Sequence, residues 1–245
     1  MPLSMHMKTS GLVEIGRGAE ASIWRDKDYA LRIPYHNTVH YHPAIYTLKK
    51  HPNVVQILDI DSTYSTIKME YIPGKSLTST LNECQVCAAL AVQFTCQILH
   101  GVSHLHNNGI VHCDLSCNNI IIFDGGLKII DFYSAQPVRG SPIYMAPEVV
   151  KFGRFGKQGD VWSIAVIMLM LEGLCPWHDF ELAHLLYHLA LNPEAINGPP
   201  EVDDADIFRD ILRIVFRTED TRPSLVHLLR SVQDLASIHG VQGSI

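Results

Sequence analysis

The sequence predicts an α+β chain of two unequal lobes, a small five-stranded antiparallel β lobe followed by a larger, mainly helical one. Three observations carry that expectation. Up to Tyr71 the chain consists of short apolar runs broken by glycine and polar turns. Beyond Ile72-Pro73-Gly74 the apolar spacing lengthens to the steps of three and four that mark helices. With 245 residues and 47% apolar content, there is enough material for one substantial core or two small lobes and little for a further domain.

From Gly11 to Ile33 the pattern reads strand, glycine turn, strand, polar turn at Arg25-Asp26-Lys27-Asp28, strand: an antiparallel meander. Val54–Leu58 and Thr66–Tyr71 supply the fourth and fifth strands. Between the third and fourth, Ala44–Lys50 is expected as a short helix, with Pro43 suited to a first turn because it lacks the N–H left unpaired there. In the second lobe Val86, Leu90, Phe94, Ile98, Val102 and Leu105 fall on one helix face. Val161–Leu171 is apolar on nearly every side, which predicts a helix in the middle of that lobe. Leu225, Leu228, Leu229, Val232 and Leu235 mark a closing helix, and the residues from Gly240 onward read as a loose tail.

Charge and thiol usage narrow the function classes. A formal charge of −6 and mixed signs give no basic stripe for a nucleic-acid backbone, so nucleic acid is not an expected ligand. The longest apolar stretch, Ile164–Leu171, is far short of the roughly 18 to 20 residues of a membrane span. Met1–Lys8 lacks the apolar core of a secretory signal, so an intracellular protein, cytoplasmic or nuclear, is expected. The six cysteines fall in apolar helical patterns or beside the motif described next, which suits reduced thiols. Cys84 and Cys87 have zinc-like spacing but no second pair, and His36, His40, His42 and His51 read as a polar stretch rather than a metal site.

The run His112-Cys113-Asp114-Leu115-Ser116-Cys117-Asn118-Asn119, followed by Asp131-Phe132-Tyr133, sets two carboxylates and an amide at a spacing suited to phosphoryl transfer. That reaction needs phosphate charge neutralised by a metal and an acceptor hydroxyl held in line. Met145-Ala146-Pro147-Glu148, Asp160-Val161-Trp162-Ser163 and Thr221-Arg222-Pro223 complete an ordered set that resembles the eukaryotic-type protein kinase superfamily. The resemblance covers about residues 10–236 and is similar to minimal, divergent members, viral ones among them. It implies a bilobal kinase fold with lobes at 10–70 and 75–236, a hinge at 71–74, and flexible termini at 1–9 and 237–245.

By that resemblance the cofactors are ATP and Mg2+, and the chemistry is serine/threonine-type phosphotransfer to a protein substrate. Asp114 would orient the acceptor, Asn119 and Asp131 would ligate the metal, and Arg32 would hold phosphate. Ile15, Gly16, Gly18, Ile23, Ala30, Arg32, Met69, Glu70, Ile72 and Ile121 would bind the nucleotide. Asp160, Glu148 and Arg222 read as devices that stabilise the fold whether or not turnover occurs. Ser141 matches the serine/threonine form of its segment.

Several positions depart from the pattern. Arg32 replaces the usual lysine, and no acidic residue occurs from Tyr29 to Leu58 to pair with it, so Glu20 or Asp131 is the expected anion. Ala21 replaces the third loop glycine, Cys113 an arginine, Ser116 a phosphate-steadying lysine, and Tyr133 the glycine after Asp-Phe. These changes motivate the alternative reading, a pseudokinase that binds a cellular kinase or its substrate.

Overall fold

A computed structural model describes residues 11–36, 41–63, 65–133, 141–174, 181–191 and 207–238. Strands β1 (Val13–Arg17), β2 (Ala21–Asp26), β3 (Tyr29–Pro34), β4 (Ile57–Asp61) and β5 (Thr66–Glu70) form one antiparallel sheet in the order β1-β2-β3-β5-β4. The β2–β3 turn is tight, with Lys27 at φ 50°, a conformation that shortens the expected four-residue turn to Lys27-Asp28.

Two expected elements differ. The fourth strand begins at Ile57 rather than Val54. Val54 and Val55, each 2% exposed, turn instead to the second lobe, where Val54 bridges Ile129 and the Val55 N–H donates to the Ile129 carbonyl at 3.0 Å. An apolar β-branched run demands burial but does not say against which sheet. The expected helix at Ala44–Lys50 is a single 3-10 turn, Pro43–Tyr46. Its one buried residue is Ile45, and aromatic and β-branched Tyr46 and Thr47 give an α-helix little reason to continue. His42 Nδ1 caps the turn, accepting from the Ala44 N–H at 3.3 Å.

The helical part begins with β6 (Lys75–Ser76) and α1 (Leu77–Glu83), whose cap Ser76 accepts from the Ser79 N–H at 3.2 Å. β6 joins β7 (Ile120–Phe123) and β8 (Gly126–Ile129) in a three-stranded sheet. Gly74 is required where the chain crosses this sheet: a Cβ there would lie 2.0 Å from the Ile122 carbonyl oxygen. Helix α2 (Ala88–Asn107) buries Phe94, Ile98, Val102 and Leu105 as its periodicity predicts, while Val86 precedes the helix.

Then follow α3 (Pro147–Phe152), α4 (Lys157–Leu171), α5 (Leu182–Leu191), α6 (Arg209–Val215) and α7 (Leu225–Ile238). Eleven of the fifteen α4 residues are buried, so α4 is the central helix expected from its apolar surface. Helix α7 packs Leu228, Val232 and Ala236 inward and continues to Ile238, past the expected domain end. Expectations for Met1–Lys8, His40, Cys175 and the tail from Gly240 lie outside the described residues.

Candidate active site

Asp160, in the first turn of α4 and 1% exposed, organises the loop that carries Asp114. Its Oδ2 accepts from the His112 N–H at 2.9 Å and meets His106 Nε2 at 2.7 Å, and its Oδ1 accepts from the Cys113 N–H at 3.0 Å. That clamp offsets the cost of holding Cys113 at φ 67°, in the left-handed region. His112 then relays the register. Its Nδ1 accepts from the Asp114 N–H at 3.3 Å, which leaves Nε2–H to donate to the Ile130 carbonyl at 3.0 Å.

Asn119 closes the arrangement. Its Nδ2 donates to the Asp114 carbonyl at 2.8 Å and to Asp114 Oδ2 at 3.3 Å, while its own carbonyl accepts from the Ile130 N–H at 3.0 Å. The loop and the segment ending in Asp131 are thus stitched together through both main-chain groups of Ile130, one bonded to the His112 ring and the other to the Asn119 carbonyl, and Asp114, Asn119 and Asp131 come from one connected unit. Asp114 Oδ1 also accepts from the Ser141 N–H at 2.8 Å and from Ser141 Oγ at 3.2 Å. Sequence reasoning gave Ser141 no such contact, because the chain separation leaves no local signal.

Arg32 is 8% exposed on β3. Its Nε lies 3.3 Å from Asp131 Oδ1 and its Nη2 lies 4.0 Å from Glu20 Oε2, the two anions the sequence offered. Its Nη1 is buried with no hydrogen-bond partner among the described residues. Register places Arg32 opposite Ile23 and Ile67, and Ala30 opposite Met69, so Ile23, Ala30, Arg32 and Met69 share one face of the sheet. Gly16 pairs with Ile23, and the Gly18 N–H donates to the Ala21 carbonyl at 2.9 Å in the β1–β2 turn. Ile15 sits where the register shifts between Glu14 and Gly16 and is 46% exposed.

The remaining candidates sit around the crossover. Glu70 turns its side chain away from the sheet face, with Oε1 accepting from the Gln56 N–H at 2.7 Å and pairing with Lys128 Nζ at 2.7 Å. This brace between β5 and β8 escaped sequence reasoning, although a lone lysine in the apolar run Leu127–Ile130 is a signal that a buried partner exists. The Ile72 carbonyl accepts from the Gly74 N–H at 2.9 Å, and Ile121, half-buried, pairs with Ser76 in the second sheet.

The donors suit the expected groups. Asn119 and Asp131 present oxygen ligands of the kind a hard cation such as Mg2+ takes. Among the described residues no group of three or more His, Cys, Asp or Glu could hold a metal, so an ion here would need phosphate or water oxygens as well. Among the described residues the buried Arg32 Nη1 is a donor without an acceptor, which an incoming phosphate oxygen would supply.

Residues 43–231 match the protein kinase domain family. The chain belongs to the protein kinase family. It is 32% identical over 198 residues to mitogen-activated protein kinase kinase kinase A of Dictyostelium discoideum, covering 74% of this chain and 21% of that one. It is 31% identical over 201 residues to the serine/threonine-protein kinase pakA of Talaromyces marneffei, 73% of this chain and 30% of that one. Mouse mitogen-activated protein kinase kinase kinase 3 is 31% identical over 200 residues, 74% of this chain and 32% of that one. The chain therefore spans about a fifth to a third of the length of these kinase relatives. The family match begins at residue 43, after β1–β3, the segment that holds Gly16, Gly18 and Arg32.

Proposed function

We propose that this kinase-family chain transfers the γ-phosphate of ATP, with Mg2+, to a serine or threonine hydroxyl of a protein substrate. The observation that carries this reading is the single bonded unit formed by Asp114, Asn119 and the Asp131 segment, facing the buried, half-paired Arg32. In it Asp114 accepts the proton of the acceptor hydroxyl as the new O–P bond forms and the bond from the γ-phosphorus to the ADP oxygen breaks. Arg32 offers Nη1 to a phosphate oxygen, and Asn119 and Asp131 hold the metal. Bound Mg2+ supplies neutralisation of the phosphate charge. Cβ atoms at Gly16 and Gly18 would meet nothing closer than 3.6 Å, so close packing does not demand glycine at either position, and the bare backbone leaves room for a phosphate to approach.

The expected lobes at 10–70 and 75–236, the hinge at 71–74 and an intracellular place, cytoplasmic or nuclear, belong to this reading, as do a protein substrate or cellular kinase partner. The hydroxyl-amino-acid preference rests on Ser141 and on relatives such as pakA that are named serine/threonine-protein kinases.

One observation favours the pseudokinase alternative. Ser116, where a cation would steady the phosphate, is fully buried with an unpartnered Oγ, so no side chain from that position reaches the site. Transfer of labelled γ-phosphate to a generic protein substrate tests the first reading. A melting temperature raised by Mg-ATP with no transfer supports the second.

A further inference from the structure

The region between the sheet and Asp131 has no α-helix among the described residues and no acidic residue on Tyr29–Leu58, yet it is filled. Tyr133, two residues after Asp131, is 2% exposed. Its hydroxyl donates to Met69 Sδ on β5 at 3.2 Å, and its carbonyl accepts from the His42 N–H at 3.0 Å, just ahead of the Pro43–Tyr46 turn. Its ring lies 4.8 Å, centroid to centroid, from that of Phe132. Tyr41 approaches the same region, donating its hydroxyl to the Ser65 carbonyl beside the Arg32 guanidinium. A glycine at position 133 could make the main-chain contact only.

We propose that Tyr133 is a positioning residue that fixes Asp131 against Arg32 and in its metal-binding place, substituting for an α-helix and carboxylate that the described residues between β3 and β4 do not provide. The proposal rests on the nucleotide-binding reading above. Asp131 stands at φ 63° with a side chain 44% exposed, and its ion partner among the described residues is Arg32 alone. A half-exposed carboxylate in a left-handed backbone, held by one ion pair, has other conformations available. A buried aromatic ring two residues away removes them, because a close-packed interior leaves such a ring few rotamers.

The test measures ATP affinity with and without Mg2+, together with kcat and KM for transfer, in wild type, Tyr133→Phe, Tyr133→Gly and His42→Pro. Tyr133→Phe keeps the ring and is expected within about threefold of wild type throughout, since a hydroxyl-to-thioether contact is weak. Tyr133→Gly, which brings in the residue of the kinase pattern, is expected to lose about ten- to a hundredfold of the Mg2+-dependent affinity, with metal-free affinity within about threefold and kcat falling more than KM rises. His42 has φ −63°, which proline adopts, so His42→Pro removes the N–H tether, together with the Nδ1 cap on Ala44, while leaving the buried ring in place; an intermediate loss is expected. Wild-type Mg2+ dependence in Tyr133→Gly overturns the proposal. Should that variant fail to fold, wild-type Mg2+ dependence in His42→Pro overturns it instead. Transfer absent from every variant, wild type included, sinks the phosphotransferase reading alone, because Mg2+-dependent binding still reports on Asp131. A wild type that binds no ATP overturns both.

Discussion

Cys113 replaces an arginine of the kinase pattern, and its surroundings decide what chemistry the exchange allows. Burial, aided by the Asp160 and Asp114 carboxylates, pushes its thiol to about 12, and burial takes Cys96 and Cys117 to about 11. Cys84 and Cys87 are exposed. Because the thiolate is the nucleophile, iodoacetamide at neutral pH is expected to label Cys84 and Cys87 in the folded protein and to spare Cys96, Cys113 and Cys117. Mass spectrometry checks this, and labelling of Cys113 as fast as Cys84 contradicts it. His51 makes a pH prediction. Burial, then His104, His100 and Lys128, hold its pKa down to about 4, while its ring stacks on His104 at 4.7 Å. The unfolded chain takes up a proton near pH 6.5 that the folded chain refuses until about pH 4, so stability falls as pH drops through that window. Solvent around this half-buried ring leaves on the order of 1 kcal/mol, seen as a lower urea midpoint at pH 5 than at pH 7, and His51→Gln is expected to flatten the slope. The sequence makes the thiols and histidines visible, but their chemistry depends on neighbours distant in the chain.

At the scale of elements, what is legible follows from what the pattern constrains. Helices α2 and α7 are long enough for their period to fix both type and buried face, and α4 is legible because it is apolar on nearly every side. The Val54–Leu58 and Ala44–Lys50 expectations fail because a short apolar run specifies burial without specifying a partner, and a single anchor such as Ile45 does not sustain an α-helix. Of the candidate site residues, Asp114 bonds Asn119 and Arg32 pairs with Asp131, whereas the contacts of Ser141, Lys128, Tyr41 and Tyr133 depend on tertiary placement that no local pattern signals. Glu148 of α3 and Arg222 ahead of α7 illustrate a legible fold device. Arg222 Nη1 and Nη2 reach Glu148 at 2.6 and 3.0 Å, and the guanidinium also donates to the Gln158 and Arg217 carbonyls at 2.7 and 3.0 Å. Its side chain is 0% exposed, so Arg222→Ala strands a buried carboxylate and is expected to cost about 3 to 5 kcal/mol in urea unfolding. A loss below about 1 kcal/mol contradicts a fold-holding role.

For the whole molecule, the sheet and the helical part meet where Arg32 reaches Asp131, where Glu70 pairs with Lys128, and where Val55 bonds Ile129. Asp114, Asn119 and Asp131 lie within the matched span 43–231, and Gly16, Gly18 and Arg32 in the divergent segment before it. On the proposed reading, catalysis requires the two parts to cooperate through Arg32 without a helix-borne carboxylate. The most direct measurement is transfer of labelled γ-phosphate from Mg-ATP to protein by wild type, Asp114→Asn and Asp131→Asn, each verified as folded. Wild-type transfer is expected, with both variants lower by at least about a hundredfold. A silent wild type, or transfer that survives either substitution undiminished, contradicts the account.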